Sequence, residues 1–260
     1  SYGDGPAKDL YKAAGIQGWF LADRAEPVGD VVRELAKLPF DAQPGEKWVY
    51  GYNIDILGHL VEVVSGMSLA DFVAKRITEP LSMADTSFFL PREKAGRLAG
   101  LWGIGADGKA AAVGDPRDKS YVEGPRACYA GGAGLLSTAE DYARFLLMLQ
   151  SGGEWGGLHV LSPKSVELMT VNHTGGLYPT PGLGFGLGFW VMREPGRSGD
   201  PCSLGAYGWG GAYHTTYWVD PAEKLVAVFM TQLLPATGSD AHGKFEALVY
   251  QAIVESYAFR

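Results

Sequence analysis

The chain has 260 residues, a length that fits one large domain or two small ones around a buried core. With 47% hydrophobic and 20% charged residues its composition is ordinary for a globular protein, which excludes the disordered and fibrous classes. Its 22 basic and 29 acidic side chains give a net charge of -7. No basic surface is therefore expected that could displace counterions from a phosphate backbone, and we expect no nucleic-acid partner.

Loops and short helices are predicted over residues 1–44, and longer helices are predicted after them. Asn53 is a candidate N-cap, and apolar residues then recur at helical spacing until Gly66, a typical residue after a helix end. Ser68 caps a second predicted helix, which runs to about residue 78 and is stopped by Pro80. The apolar face predicted for the first helix comprises Ile54, Leu57, Val61 and Val64, and its polar face Asp55, His59 and Glu62.

The middle of the chain combines an irregular stretch with two further helices. Residues 91–130 carry many glycines, prolines and charges without periodicity, which predicts a long irregular segment. The capping box Ser-Thr-Ala-Glu at residues 137–140 then starts a helix that Gly152 and Gly153 close. Ser162 and Pro163 open a short helix after it.

The pattern changes to strands after residue 180. The turn Asp-Pro-Ala-Glu at residues 220–223 predicts an antiparallel hairpin between the strands that flank it, and a last helix follows near residues 241–257. Helices, then a strand meander and a terminal helix are typical of an α+β fold with an antiparallel sheet covered by helices. We predict a mainly helical region over 1–180 and a strand-rich region over 181–260. The predicted strands are 185–192, 206–211, 213–219 and 224–231.

Two clusters of aromatic and glycine residues stand out. In the first, Pro44-Gly45 precedes Tyr50 and Tyr52, and Asp-Ile-Leu-Gly follows at residues 55–58. By itself it is open to a structural interpretation, aromatic packing at a helix entrance. The second is Tyr-Gly-Trp-Gly-Gly-Ala-Tyr at residues 207–213. Three glycines within four strand residues indicate the close approach of a ligand or another backbone, and a glycine-rich β-bulge with a core tryptophan is the alternative.

Both clusters resemble motifs of the serine hydrolase superfamily that contains the class C β-lactamases and the family VIII carboxylesterases. In those esterases a Pro-Gly turn leads to Tyr-Ser-x before a helix with Asp-x-Leu-Gly, and Trp-Gly-Gly often replaces the Lys-Thr-Gly of penicillin-recognising enzymes. Matches of the same order and spacing run from about residue 40 to about residue 232. The resemblance implies a β-lactamase/transpeptidase-like fold of the α/β/α sandwich type.

The resemblance also implies roles for individual residues. Tyr50 would belong to the catalytic base; because the ordinary pKa of tyrosine is about 10, a lysine beside it would have to share that role. The class C pattern Tyr-x-Asn is not matched, since Asn53 comes one position late, and Tyr52 remains an alternative catalytic tyrosine. The N–H of Ala212 would be one of two oxyanion donors. Substrate-contacting positions would be Tyr52, Trp209, Gly210, Gly211 and His214, the last with a surface or strand-face position as its alternative.

The nucleophile expected from this superfamily is the serine of Ser-x-x-Lys. None of the 11 lysines has a serine, threonine or cysteine three residues before it, and Gly-x-Ser-x-Gly is absent. We therefore expect the chain to begin in mid-protein, with an N-terminal segment that carries this serine and lysine as the partner of the chain.

These observations predict an enzyme, a carboxylesterase or β-lactamase-like serine hydrolase that acts through an acyl-enzyme on small ester, β-lactam or amide substrates. An inactive scaffold or binding protein and an acyltransferase are the alternatives.

We predict no cofactor, and no metal site because the five histidines are scattered. No apolar run reaches membrane-spanning length, so no membrane span is predicted, and cytoplasmic and periplasmic locations stay open. Cys128 and Cys202 form either two free thiols or one disulfide.

Overall fold

The computed structural model describes residues 1–114 and 116–257, without the side chains of residues 116–118. A π-helical turn, Ala74–Thr78, continues the fourth helix, and a 3-10 helix spans Arg92–Arg97. The α-helices are Lys8–Ala13 (α1), Val28–Leu35 (α2), Asn53–Ser65 (α3), Leu69–Val73 (α4), Pro116–Glu123 (α5), Ala139–Gln150 (α6), Pro163–Met169 (α7), Pro195–Ser198 (α8) and Ala241–Gln251 (α9). The strands are Trp102–Ile104 (β1), Ala110–Ala112 (β2), Glu154–Trp155 (β3), Leu158–His159 (β4), Leu183–Phe185 (β5), Trp190–Met192 (β6), Tyr207–Gly210 (β7), Thr215–Asp220 (β8) and Leu225–Met230 (β9).

The chain folds into two compact units. The first comprises Ser1–Glu79, Ala84–Ala99 and Gly114–Ser137, and holds α1 to α5. The second comprises Pro80–Met83, Gly100–Val113 and the residues from Thr138 onwards, and holds the strands, α6 to α9 and the larger sheet.

Local caps account for several helix boundaries. The hydroxyl of Ser68 accepts a hydrogen bond from Asp71 N (3.0 Å) at the start of α4, and Thr138 does the same for Asp141 N (3.2 Å) at α6. The α3 helix ends at Gly66, whose φ of 68° is left-handed, as predicted. Its start differs by one residue, since Tyr52 rather than Asn53 is the N-cap and its side chain makes no cap hydrogen bond.

The apolar face predicted for α3 does not face the interior. Leu57 and Val64 are exposed, whereas Asp55 and Gly58 are buried. On the buried face Gly58 lies against Leu69, with a Cβ atom at position 58 placed 2.9 Å from Leu69 Cδ2, and Asp55 accepts a hydrogen bond from Gly132 N. The helix therefore turns its glycine inward and leaves an exposed apolar stripe of Ile56, Leu57, Leu60, Val63 and Val64.

The irregular segment predicted over residues 91–130 contains regular structure. Strands β1 and β2 pair as an antiparallel hairpin, and α5 follows. The connecting loop has Gly108 with φ of 75° after Asp107, a combination that suits a tight hairpin turn although the flanking residues lack a strand pattern.

The larger sheet of the second unit is an antiparallel meander in the order β5-β6-β7-β8-β9. The predicted hairpin around residues 220–223 is confirmed, with β8 and β9 paired from Thr215 opposite Met230 to Asp220 opposite Leu225. The single strand predicted over 185–192 was wrong. It is two strands, β5 and β6, because the chain turns at Gly188, whose φ is 99°.

Helices cover both faces of this sheet. Tyr217 and Trp218 are neighbours on β8, so their side chains point to opposite faces. The Tyr217 ring lies 4.8 Å from the ring of Tyr142 on α6, and the Trp218 ring lies 5.5 Å from the ring of Phe245 on α9. The second unit is thus a three-layer helix, sheet, helix arrangement, and the α+β fold predicted from the sequence is confirmed.

Among the described residues no single helix has the length and apolar character to cross a membrane. Only as a pair bent by 81° do Asn53–Ser65 and Leu69–Thr78 reach those values of length and composition.

Candidate active site

A tight turn precedes the candidate catalytic tyrosine. Glu46 N donates to Gln43 O (3.1 Å) across Pro44 and Gly45, and Gly45 has φ of 82°. Proline at the second position and a left-handed glycine at the third are the residues that a type II turn requires. The sequence therefore determines this turn locally.

The two tyrosines after this turn differ in what their hydroxyl groups can do. Tyr50 is 50% exposed. Tyr52 is 4% exposed, its hydroxyl donates to Gly18 O (2.7 Å), and burial raises its pKa to about 12. The ring of Tyr2 meets both edge-on, with centroids 5.6 Å from Tyr50 and 4.8 Å from Tyr52. Of the pair, Tyr50 is therefore the one whose hydroxyl group solvent can reach.

Asp55 is a buried charge-bearing residue that the sequence pattern assigned to the polar face of its helix. It is 1% exposed, and its Oδ1 accepts a hydrogen bond from Gly132 N (3.0 Å). Its Oδ2 is buried and makes no hydrogen bond within the described residues. Burial raises the pKa of Asp55 to about 6, against the lowering effect of the Gly132 N–H. The sequence feature that could have drawn attention to Asp55 is its position as the first residue of the Asp-Ile-Leu-Gly motif.

We expect Asp55→Asn to change how the stability of the chain depends on pH. The folded-state pKa of about 6 lies above the ordinary value of 3.8, so the folded state holds its proton more tightly, and stability falls as pH rises between these values. The difference corresponds to about 3 kcal/mol. Asparagine retains an oxygen for Gly132 N–H and cannot ionise.

Urea unfolding at pH 4 and pH 7 measures this effect. The wild type should lose stability relative to Asp55→Asn over this interval, whereas Asp23→Asn, which changes an exposed carboxylate of the same unit, should follow the wild type. Parallel pH curves for Asp55→Asn and the wild type would contradict the proposed ionisation.

The glycines of β7 are explained by their neighbour strand. A Cβ atom at Gly208 would clash with the backbone oxygen of Tyr217, and one at Gly210 would lie 2.8 Å from Thr215 O. Of the two causes that the sequence left open, the close approach of another backbone therefore accounts for these two residues. Gly211 is equally close to the Thr215 side chain.

The residues around the candidate oxyanion donor lie in one hairpin of the second unit. Trp209 is half-buried on β7, with its ring 5.0 Å from the ring of Phe185 on β5. Ala212 follows Gly211 in the loop and is exposed, and its N–H makes no hydrogen bond within the described part of the chain. Such an N–H is chemically able to bind a negatively charged oxygen.

His214 occupies an interior position in the same loop. It is 4% exposed and has a left-handed backbone with φ of 66°. The surface position expected as an alternative was wrong, because the ring packs between Thr231 and His242 instead of facing solvent.

The remaining candidate groups provide no second site. Cys128 and Cys202 are free thiols, one in each unit, and burial raises the pKa of each to about 12, so neither is an activated nucleophile. Over residues 1–114 and 116–257, no three His, Cys, Asp or Glu side chains converge as metal ligands would. Tyr50 and Tyr52 belong to the first unit, and residues 209–214 belong to the second.

Comparisons with known proteins agree on one family. A family model described as Beta-lactamase matches residues 10–251. Protein Rv1367c of Mycobacterium tuberculosis is 34% identical over 219 residues, which cover 80% of this chain and 54% of that protein. Esterase EstB of Burkholderia gladioli is 29% identical over 217 residues, which cover 77% and 53%. The chain thus spans about half the length of these curated relatives.

A solved structure shows the same fold. EstCE1, described as a hydrolase with promiscuous acyltransferase activity, matches with a TM-score of 0.76 and 25% identity, over 90% of this chain and 64% of that chain. The family match extends from α1 to the end of α9 and so includes both units. The chain therefore belongs to the beta-lactamase family.

Proposed function

We propose that this chain is part of a serine carboxylesterase that works through an acyl-enzyme. The observation that carries the proposal is the N–H of Ala212, an exposed residue directly after Trp209-Gly210-Gly211, which makes no hydrogen bond within the described residues. An N–H held in this way is suited to stabilise the oxyanion of a tetrahedral intermediate. The similarity to a protein named esterase supports the same reaction class.

The proposed reaction has two stages. A serine hydroxyl attacks the acyl carbonyl, while a lysine and Tyr50 take the serine proton and pass it to the leaving alcohol. The Ala212 N–H and the N–H of the nucleophile hold the oxyanion. Water then attacks the acyl-enzyme, and the acid is released with the serine protonated again.

We propose that the serine and lysine lie in a segment outside these 260 residues. The absence of Ser-x-x-Lys and the coverage of about half of the relatives support this. The α3 stripe supports it as well, because five exposed apolar residues on one helix face offer a surface for a further segment to bury.

The test uses the protein extended by the residues that its coding sequence places before Ser1. With p-nitrophenyl butyrate it should release p-nitrophenol in a burst, and mass spectrometry should find a butyryl group on a serine before Ser1. An extended protein without a burst and without acylation would refute the esterase proposal.

We further propose that neutral esters are better substrates than β-lactams, because Trp209 stands where penicillin-recognising enzymes carry the lysine of Lys-Thr-Gly. Trp209→Lys should therefore shift preference toward substrates with a carboxylate. The ratio of kcat/KM for a cephalosporin to kcat/KM for a neutral ester should rise. Trp102→Lys, at an exposed tryptophan of β1, is the matched control. An equal ratio in both variants would disprove the position proposed for residue 209.

Acyl transfer is the second candidate, because EstCE1 combines hydrolysis with promiscuous acyltransferase activity. An added alcohol would then compete with water for the acyl-enzyme and yield a new ester, which gas chromatography detects.

β-Lactam or D-amino-peptide hydrolysis is the remaining enzymatic alternative. An inactive scaffold is the non-enzymatic one, and it would be established if the complete gene product began at Ser1 and bound esters without cleaving them.

A further inference from the structure

The loop between β7 and β8 has an unusual residue at its left-handed position. His214 N donates to Gly211 O (3.0 Å), and Gly211 N donates to Thr215 O (3.0 Å). This is the hydrogen-bond pattern of a three-residue hairpin loop whose last residue is left-handed, a position at which glycine is usual. Here that residue is His214, with φ of 66°.

The β1–β2 hairpin of the same unit provides an internal comparison. Gly108 N donates to Gly105 O (2.9 Å), and Gly105 N donates to Lys109 O (2.9 Å), so the pattern is the same. Its left-handed residue is Gly108, with φ of 75°. A side chain at this position is sterically disfavoured, and His214 therefore requires compensating contacts that Gly108 does not.

The compensating contacts surround His214 on both its ring and its carbonyl group. Thr231 Oγ1 donates to His214 O (2.6 Å), and the His242 ring nitrogen Nε2 lies 3.1 Å from the same oxygen. A carbonyl only accepts, so His242 Nε2 carries a hydrogen. Since the Thr231 hydrogen is used on the carbonyl, the 2.7 Å contact between His214 Nδ1 and Thr231 Oγ1 must be a donation from Nδ1.

The two histidine rings stack on each other as well. Their centroids are 3.8 Å apart at an angle of 16°. Burial, and then the neighbouring His242, lower the pKa of His214, so its ring stays neutral near pH 7. His214 is thus held in its loop by two residues from elsewhere in the second unit, Thr231 directly after β9 and His242 at the start of α9.

We propose that His214, Thr231 and His242 form a clamp that holds the β7–β8 loop in the shape in which the Ala212 N–H makes no hydrogen bond to the described residues and can act as oxyanion donor. This inference rests on the proposed esterase function. It assigns His214 a positioning role two residues from the donor, in place of direct contact with substrate. A glycine at this position would permit the same turn but would not tether it to Thr231 and His242, so the loop would be free to move.

The first test measures the clamp without turnover. Hydrogen exchange of the 260-residue chain is followed for peptides that contain the bonded Gly211 and His214 amides. Thr231→Val removes the hydroxyl at nearly constant shape and should speed exchange by about tenfold, whereas Thr231→Ser should exchange as the wild type does. Unchanged exchange in Thr231→Val would overturn the clamp, whatever the reaction of the protein is.

The second test measures the consequence for catalysis in the extended protein. His214→Gly relieves the strained backbone, so its melting temperature should stay near that of the wild type. Its kcat for p-nitrophenyl butyrate should fall by about 10- to 100-fold with little change in KM, because a displaced oxyanion donor affects the transition state more than the bound ester. Thr231→Val should show the same pattern and Thr231→Ser should restore kcat.

Two results keep the clamp and the esterase proposal apart. His159→Gly, at an exposed histidine of β4, is the control for histidine removal and should retain wild-type kcat. A wild-type kcat in His214→Gly would refute the positioning role. An inactive wild type would refute the esterase proposal instead, and the hydrogen-exchange result would still decide whether the clamp exists.

Discussion

The 260-residue chain alone should neither hydrolyse p-nitrophenyl butyrate above background nor take up a fluorophosphonate label. Every lysine lacks a serine three residues before it, and both cysteines are buried thiols with raised pKa values. Tyr50 and the Ala212 N–H assist a nucleophile but do not replace one, so only a slight rate enhancement from oxyanion binding is expected. In-gel fluorescence after incubation with a fluorescent fluorophosphonate probe measures this absence of labelling directly.

The extended protein is the positive control for this result. It should take up about one label per chain, and peptide mass spectrometry should place that label on a serine before Ser1. The shorter chain should also be less soluble, because the α3 stripe stays exposed in it. Stoichiometric labelling of a serine within the 260 residues would overturn the proposed source of the nucleophile.

Tyr50→Phe in the extended protein should reduce kcat by about 10²- to 10⁴-fold, the usual contribution of general acid–base catalysis. Only one hydroxyl of a half-exposed side chain is removed, so the melting temperature should hardly change. Steady-state hydrolysis of p-nitrophenyl butyrate, with circular dichroism as the folding control, measures both effects.

Tyr52→Phe is the matched variant, two residues away. It removes the hydroxyl that donates to Gly18 O, and because Gly18 is exposed, water can replace this donor, so the loss should cost about 0.5–1.5 kcal/mol of stability. Turnover should stay close to that of the wild type. The reverse outcome, with loss of turnover in Tyr52→Phe and retention in Tyr50→Phe, would show that Tyr52 is the catalytic tyrosine.

Features that depend on near neighbours in the chain could be predicted from the sequence. The cap at Ser68, the left-handed Gly66, the Pro44-Gly45 turn and the β8–β9 hairpin all form from residues a few positions apart. Their hydrogen bonds and backbone preferences are local, so the sequence contains all of the information. The predicted start of α6 was one residue off, because Thr138 rather than Ser137 is its N-cap. The α+β fold followed from the order of such elements, and the resemblance to the beta-lactamase family rested on the spacing of short motifs.

Side-chain environments required the tertiary structure. Periodicity predicted that the α3 face with Leu57 and Val64 would be buried, but the structure buries the face with Asp55 and Gly58, where Gly58 lies against Leu69. The sequence favoured Tyr50 as the catalytic tyrosine and left Tyr52 as an alternative, and only the structure shows that the Tyr52 hydroxyl donates to Gly18 O. His214 lies against Thr231 and His242, which are 17 and 28 residues away in sequence. No short sequence motif links residues so far apart, so these contacts could not be predicted from the sequence.

The sequence by itself thus determined the secondary structure at its caps and turns, the family, and the candidate catalytic positions. The tertiary structure alone decided that Asp55 and His214 are buried, that the Tyr52 hydroxyl donates to Gly18 O, and that Ala212 is exposed. The physical reason is that burial and the partners of a polar group depend on contacts between distant segments, whereas caps and turns depend on a few successive residues.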